Sequence, residues 1–395
     1  MRFPLRVAGP RLQTDETTGR HATWFELFFD LVFVVAVAEL AHDLATDVTG
    51  LRLVGFVGLF VPIFIVWMNF SYYADLFGEE GLDRVGLFVA MFVVAALATT
   101  LHDALAGQLR GFIVSYLALR VVLLVLYARA RMANPDVRQF TGRYIALYGL
   151  GALFWVAALA FDGLAQFVLV GIGLAIEIVT PGVTYFTVDE RPAQVSHMPE
   201  RFGLFTIIVL GEVVVAVVSG ISGTEWSVPA VGAAVASFVA AVAVWRLYFA
   251  YVREDTITDL VRGDFDFFAG MGYTYGHFGV TLGITAAGVG SLLVIVAAGE
   301  GVSVAFFDRL ALGGGVAVFL LGIALTHGAV GTISQSVAGV WVAGSFVAVV
   351  FAVSIANPVV LVTTIALLLG ALAALEFVLS TDSVTPTPDA PRPPT

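Results

Sequence analysis

Long apolar runs, each broken after some twenty residues by a short polar or glycine-rich stretch, follow one another along almost the whole chain. A run of ~20 apolar residues is what an α-helix needs to cross ~30 Å of hydrocarbon. Twelve such windows can be read, near 23–44, 53–73, 85–105, 111–129, 143–161, 163–182, 201–221, 228–252, 268–296, 306–326, 337–356 and 358–380. The ninth is long and rich in glycine, which predicts a tilted or broken helix. Met1 to Arg20 holds no apolar core of the kind a cleaved signal peptide carries. From Thr381 onward, Pro386, Pro388, Pro391, Pro393 and Pro394 predict a disordered tail.

Composition agrees with that pattern and narrows the chemistry. With 59% hydrophobic and 12% charged residues over 395 positions, one soluble core could not hide the apolar side chains, so the expected class is an all-α polytopic membrane protein. The net charge of −11 is dispersed over loops and helix ends, and no basic patch with interleaved aromatics suggests nucleic acid. The chain has no cysteine, which excludes disulfides, thiolate nucleophiles, Cys-bound zinc and iron–sulfur clusters. All 19 basic residues are arginine, so a Schiff-base lysine is excluded too. No nucleophile elbow, phosphate loop or His-Glu-x-x-His occurs. No cofactor and no enzymatic activity are therefore expected.

The arginines suggest an orientation. With a cytoplasmic N-terminus, Arg2, Arg6, Arg11, Arg20, Arg84, Arg129, Arg131, Arg138, Arg143, Arg191, Arg201, Arg253, Arg262 and Arg392 lie inside, against Arg52, Arg110 and Arg309 outside. This satisfies the positive-inside rule for twelve spans of the plasma membrane with both termini in the cytoplasm.

A repeat also runs through the chain. Phe-x-Leu-Phe opens the first window at Phe25 and the seventh at Phe202; Trp67 and Tyr73 in the second recur as Trp245 and Tyr251 in the eighth, at nearly the same offset. His21 and His197 add a weaker match. The expected organisation is a cytoplasmic segment 1–20, a six-helix repeat 21–182, a cytoplasmic linker 183–200, a second six-helix repeat 201–380 and a tail 381–395. An even number of helices makes the repeats parallel.

The phrases Glu26-Leu27-Phe28-Phe29-Asp30-Leu31-Val32-Phe33 and Pro199-Glu200-Arg201-Phe202-Gly203-Leu204-Phe205-Thr206-Ile207-Ile208-Val209-Leu210-Gly211-Glu212 resemble the signatures of the bacterial low temperature requirement protein A (LtrA) family, over about Arg20 to Phe377. The resemblance implies an integral membrane protein tied by name to growth in the cold, and implies no activity. A fainter likeness bears on mechanism. Phe28-Phe29-Asp30 and Arg201-x3-Phe205-Thr206 are each similar to part of the Arg-x3-Phe-Ser-Asp first-helix motif of the endolysosomal potassium channels, themselves built from six-helix repeats. Trp24 stands where that motif has arginine, and Ile207 where it has aspartate.

Acids inside the apolar windows are the candidate chemistry, since a charge near mid-bilayer costs ~2.5–3.5 kcal/mol on insertion scales. Asp30, Glu39, Glu177 and Glu212 are the candidates for an ion pathway, with His277 as a relay. Glu26 is expected at the interface, capping its helix or pairing with Arg20 or Arg201. Arg120 needs a carboxylate, with Glu212 or Asp30 expected first and Glu39 or Glu177 as alternatives. Asn69, Ser71, Tyr72 and Asp75 give the second helix a polar end that could line a vestibule; His42-Asp43 and His102-Asp103 fit interface capping better than a metal site. The acids outnumber Arg120, which favours an ion- or proton-linked transporter or channel carrying a monovalent cation or proton. A structural or sensory membrane protein of cold adaptation, or an acid–base enzyme acting on lipid through Asp30, Glu212 and His277, are the alternatives. Membrane lipid is the expected surrounding partner, and the sequence assigns no oligomeric state.

Overall fold

The first helix starts where the sequence closes a capping box. The Thr23 hydroxyl accepts the Glu26 backbone N–H at 3.1 Å, and the Glu26 carboxylate accepts the Thr23 N–H at 2.7 Å. The computed structural model describes residues 10, 12, 23–189, 198–250 and 267–382, and every regular element among them is a helix. In the first half these are α1 (Trp24–Thr46), α2 (Gly50–Phe77), α3 (Leu82–Ala98), the short α4 (Leu101–Leu105), α5 (Arg110–Ala133), α6 (Arg138–Ala158) and α7 (Leu164–Thr187). In the second they are α8 (Met198–Ser222), α9 (Val228–Phe249), α10 (Phe267–Glu300), α11 (Phe306–Ala329), α12 (Gln335–Ser354) and α13 (Pro358–Asp382).

Among the described residues nine helices, α2, α5 and α7 to α13, are long and apolar enough to cross a membrane. The other three long helices each lack something. α1 carries four carboxylates, Glu26, Asp30, Glu39 and Asp43; α3 is 17 residues long; α6 includes Arg138 and Arg143 beside Tyr144 and Tyr148.

Several expected boundaries shift. α10 runs unbroken for 34 residues, ~51 Å at 1.5 Å per residue. The stretch expected as a linker is helical at both ends, since α7 reaches Thr187 and α8 starts at Met198; residues 190–197 lie outside the described ones. Thr180 and Thr187 help α7 continue by turning their hydroxyls back onto the carbonyls of Ile176 and Val183, at 2.7 and 2.6 Å. α13 extends to Asp382, past the expected start of the tail, and 383–395 lie outside the described residues, as do His21, His197 and Tyr251 of the repeat.

α2 and α10 form the centre. α2 is buried on nearly every side from Leu59 to Phe77, as a helix apolar all round must be. α10 and α11 meet backbone to backbone along a glycine seam. A methyl group on Gly283 would fall 2.6 Å from the Gly315 carbonyl oxygen, and one on Gly276 would fall 2.7 Å from the Thr326 backbone nitrogen. Small residues permit this approach, and dispersion between the two backbones then holds the helices in an apolar medium.

α1 and α2 of the first half pack against α8 and α10 of the second. The contact is aromatic: Phe60 and Phe64 both meet Phe278, with centroids 5.9 and 5.5 Å apart, and Trp67 stacks on Phe205 at 4.1 Å. Trp67 is fully buried, whereas Trp245, its expected counterpart in the repeat, is 45% exposed.

Gly283→Ala should lower the melting temperature in detergent by the equivalent of ~1–3 kcal/mol, the usual cost of overpacking. Gly314→Ala, on the same helix pair with open space around it, should change little. Equal melting of the two variants would contradict the seam.

Candidate functional site

Two charged centres lie inside the bundle. The first joins the halves. Asp30 on α1 is completely buried, and its Oδ1 accepts two bonds, one from Arg201 Nη2 on α8 at 2.6 Å and one from Trp67 Nε1 on α2 at 2.8 Å. Arg201 is 2% exposed, and its guanidinium lies 5.8 Å from the Phe29 ring. Glu26 and Asp75 also lie within electrostatic reach of Arg201. Asp30 Oδ2 and Arg201 Nε have no hydrogen-bond partner among the described residues. Burial in an aromatic setting strengthens the pair's attraction, and it makes separation of the two charges expensive.

The second centre lies within the first half. Arg120 on α5 and Glu177 on α7 form a fully buried ion pair through Arg120 Nη2 and Glu177 Oε2. The Tyr116 hydroxyl accepts from Arg120 Nη2 and donates to Glu177 Oε2. The guanidinium sits 4.9 Å from the Tyr116 ring and 5.1 Å from the Tyr148 ring, two cation–π contacts. Trp155 stacks on Tyr116 at 4.1 Å, and Tyr148 donates its hydroxyl to Asn69 Oδ1 on α2 at 2.8 Å. Close contact of α6 and α7 makes room for Glu177: a methyl on Gly151 would come 3.3 Å from the Glu177 Cγ. Glu177 Oε1 lies beside the Trp155 indole and meets no donor within hydrogen-bonding geometry.

The expected site residues therefore separate. Arg120 pairs with Glu177 and with neither Glu212 nor Asp30, because α5 packs on α6 and α6 on α7, while α1 packs on α8. Asp30 is held by Arg201, and Glu26 caps α1 as expected. Glu39 is exposed on the outer surface of α1. Glu212, near the middle of α8, is half-buried beside Gly211, and has no hydrogen bond or ion pair among the described residues. The surplus of buried acid that the sequence suggested is thus smaller, since Asp30 and Glu177 each meet an arginine.

His277 on α10 has both ring nitrogens engaged. Nδ1 lies 2.8 Å from the Tyr273 carbonyl oxygen and must donate to it, so Nε2 accepts from the Tyr248 hydroxyl at 2.9 Å. Phe202 stacks on the imidazole at 4.4 Å. At the far end of α1, Asp43 accepts from Arg52 at 3.1 Å and pairs with His102. No group of three metal-ligating side chains occurs among the described residues. In the polar end of α2, Asn69, Ser71 and Asp75 are buried, and Tyr72 meets the Thr274 hydroxyl at 2.9 Å.

Two further pairs went unread in the sequence. Arg129 on α5 binds Asp83 at 3.3 Å, with Tyr73 donating to the same carboxylate at 2.9 Å. Arg246 on α9 binds the buried Glu376 on α13 at 3.4 Å. Glu376, a single acid within an apolar window, was the available signal for the last.

An all-helical body with several membrane-length apolar helices and arginine–carboxylate pairs sealed between them defines a multi-pass membrane protein. The chain belongs to the bacterial low temperature requirement A protein (LtrA) family, whose model matches residues 21–374. It is 29% identical over 303 residues to the uncharacterized protein RA0937 of Rhizobium meliloti (strain 1021), covering 71% of each chain. No solved structure matches.

Arg201→Met leaves Asp30 buried without its cation and should cost ~3–5 kcal/mol of stability. The Asp30→Leu, Arg201→Met double variant should recover most of that loss in thermal melts. Equal loss in the single and double variants would mean that the pair is not coupled.

Proposed function

We propose that this protein is an ion- or proton-linked membrane transporter or channel, regulated where its two halves meet at Asp30 and Arg201. One observation carries the reading. Asp30, on the first helix of one half, has its ion-pair partner on the first helix of the other, and its second oxygen is unpartnered among the described residues. An acid placed so ties its charge state to the packing of the halves. A proton or cation at Oδ2 would neutralise Asp30, weaken its hold on Arg201 and free α8 to move against α1. Intramembrane acids that pair across an interface are the usual sites of such coupling.

The two-repeat reading has support in packing order. In each half the first helix packs on the second and third, the third on the fourth, the fourth on the fifth and the fifth on the sixth, if α4 is counted with α3. We infer twelve spans in two parallel six-helix repeats, in the plasma membrane, with both termini cytoplasmic as the arginine distribution favours. A structural role is the second reading, and the matching of Asp30 and Glu177 by one arginine each favours it.

Purified protein in liposomes should pass protons, potassium or sodium down an imposed gradient. Asp30→Asn, which keeps shape and removes the charge, should abolish that flux while folding and membrane insertion persist. Wild-type flux from Asp30→Asn would refute the pathway, and absence of flux from the wild type under every gradient would favour the structural reading.

A further inference from the structure

We propose that Arg120 binds a small planar monovalent oxyanion, which takes the guanidinium over from Glu177 as Glu177 accepts a proton. The inference rests on the transport reading above and gives it a substrate class. Its basis is the bonding at Arg120. A guanidinium has five N–H donors. Both bonds of this one leave from Nη2, and Nε and Nη1 have no partner although the side chain is fully buried. Asn69, 3% exposed, likewise has its oxygen occupied by Tyr148 and its Nδ2 unpartnered. The Tyr148 side chain links the two, with its ring against Arg120 and its hydroxyl on Asn69. Unused donors on α5 and α2 therefore flank one phenol, and what completes them is an acceptor.

Shape narrows the ligand. The guanidinium lies over the rings of Tyr116 and Tyr148, while Trp155 stacks on Tyr116. These aromatic walls favour a flat ligand with delocalised oxygens, the geometry a guanidinium binds best. A methyl on Gly151 would meet the Gly173 carbonyl oxygen at 3.1 Å and the Glu177 Cγ at 3.3 Å, so the α6–α7 side leaves no room for a bulky ligand.

Charge then fixes the stoichiometry. Arg120 and Glu177 together are neutral, and an anion added alone would leave a net negative charge among apolar helices, which is costly. A proton on Glu177 restores neutrality, and Oε1, which accepts from neither Arg120 nor Tyr116, can receive it. The step balances as one proton and one monoanion taken up together: an O–H bond forms on Glu177, and the Arg120 bond to Glu177 is replaced by one to the ligand. The titratable groups facing Glu177 and Arg120 are Tyr116 and Tyr127 on α5 and Tyr148 on α6; α2 offers the uncharged Asn69. On α10, Tyr275 donates to the Ile178 carbonyl at 3.1 Å, next to Glu177.

Titration calorimetry of the full-length protein in detergent, with sodium formate and sodium nitrate in buffers of different ionisation enthalpy, tests this. Wild type should bind each anion saturably and take up one proton per anion. Glu177→Gln should still bind, with no proton uptake and little dependence on pH, and Asn69→Leu should weaken binding about tenfold, the equivalent of one lost hydrogen bond. No saturable binding by wild type, or unchanged proton uptake in Glu177→Gln, would overturn the proposal. The two readings fail separately. Cation or proton flux in liposomes without formate or nitrate binding removes the anion site and leaves transport, whereas binding with proton uptake but no flux keeps the site and removes transport.

Discussion

A charge enclosed by apolar helices has to find an opposite charge, and in this protein that requirement decides which helices must touch. Asp30 brings α1 to α8 through Arg201, Glu177 brings α7 to α5 through Arg120, and Glu376 brings α13 to α9 through Arg246. Apolar packing alone is weakly directional in a membrane, because lipid tails compete for the same surfaces. The pairs supply the direction. Aromatic rings then surround them: Trp67 both donates to Asp30 and stacks on Phe205, so one side chain joins the ion pair to the interface between halves. Dispersion along the α10–α11 glycine seam adds a rigid block against which α8 lies.

The junction also joins the two phrases that stand out in the sequence. Asp30 ends the Phe28-Phe29-Asp30 phrase of α1, and Arg201 opens the Arg201-x3-Phe205-Thr206 phrase of α8. In the folded chain Arg201 binds Asp30. The charge pair therefore exists only when α1 and α8 are assembled. Glu212, by contrast, stands half-buried on α8 without a charge partner among the described residues.

Much of the architecture was legible because hydrocarbon-length apolar windows have few other uses. Asp30 and Arg120 could be singled out for the same reason, being charges without local partners. The identity of each partner was hidden. The apolar residues of α1 and α2 are spread around the whole helix, so no stripe in their sequences tells which face turns inward, and Glu177 and Glu212 look alike as single acids in apolar windows. Only the packing of α5, α6 and α7 distinguishes them, bringing Glu177 to Arg120 across a separation of 57 residues. The hydrogen-bonding roles of Trp67, Tyr116 and Tyr148 escaped notice because aromatics in apolar helices are common, and their polar atoms gain meaning only beside a charge. Glu39 is exposed, and its depth in the window says nothing about the side of α1 it occupies.

The central claim is that the Asp30–Arg201 pair holds α1 against α8. The chain has no cysteine, so a pair of spin labels can be placed without removing any. Labels on Val35→Cys of α1 and Val215→Cys of α8, both exposed positions, would report the separation of the two helices by pulsed dipolar spectroscopy in liposomes. The account predicts one narrow distance distribution for the otherwise wild-type chain and a second, shifted population when Asp30→Asn is added. Identical distributions with and without Asp30→Asn would contradict it.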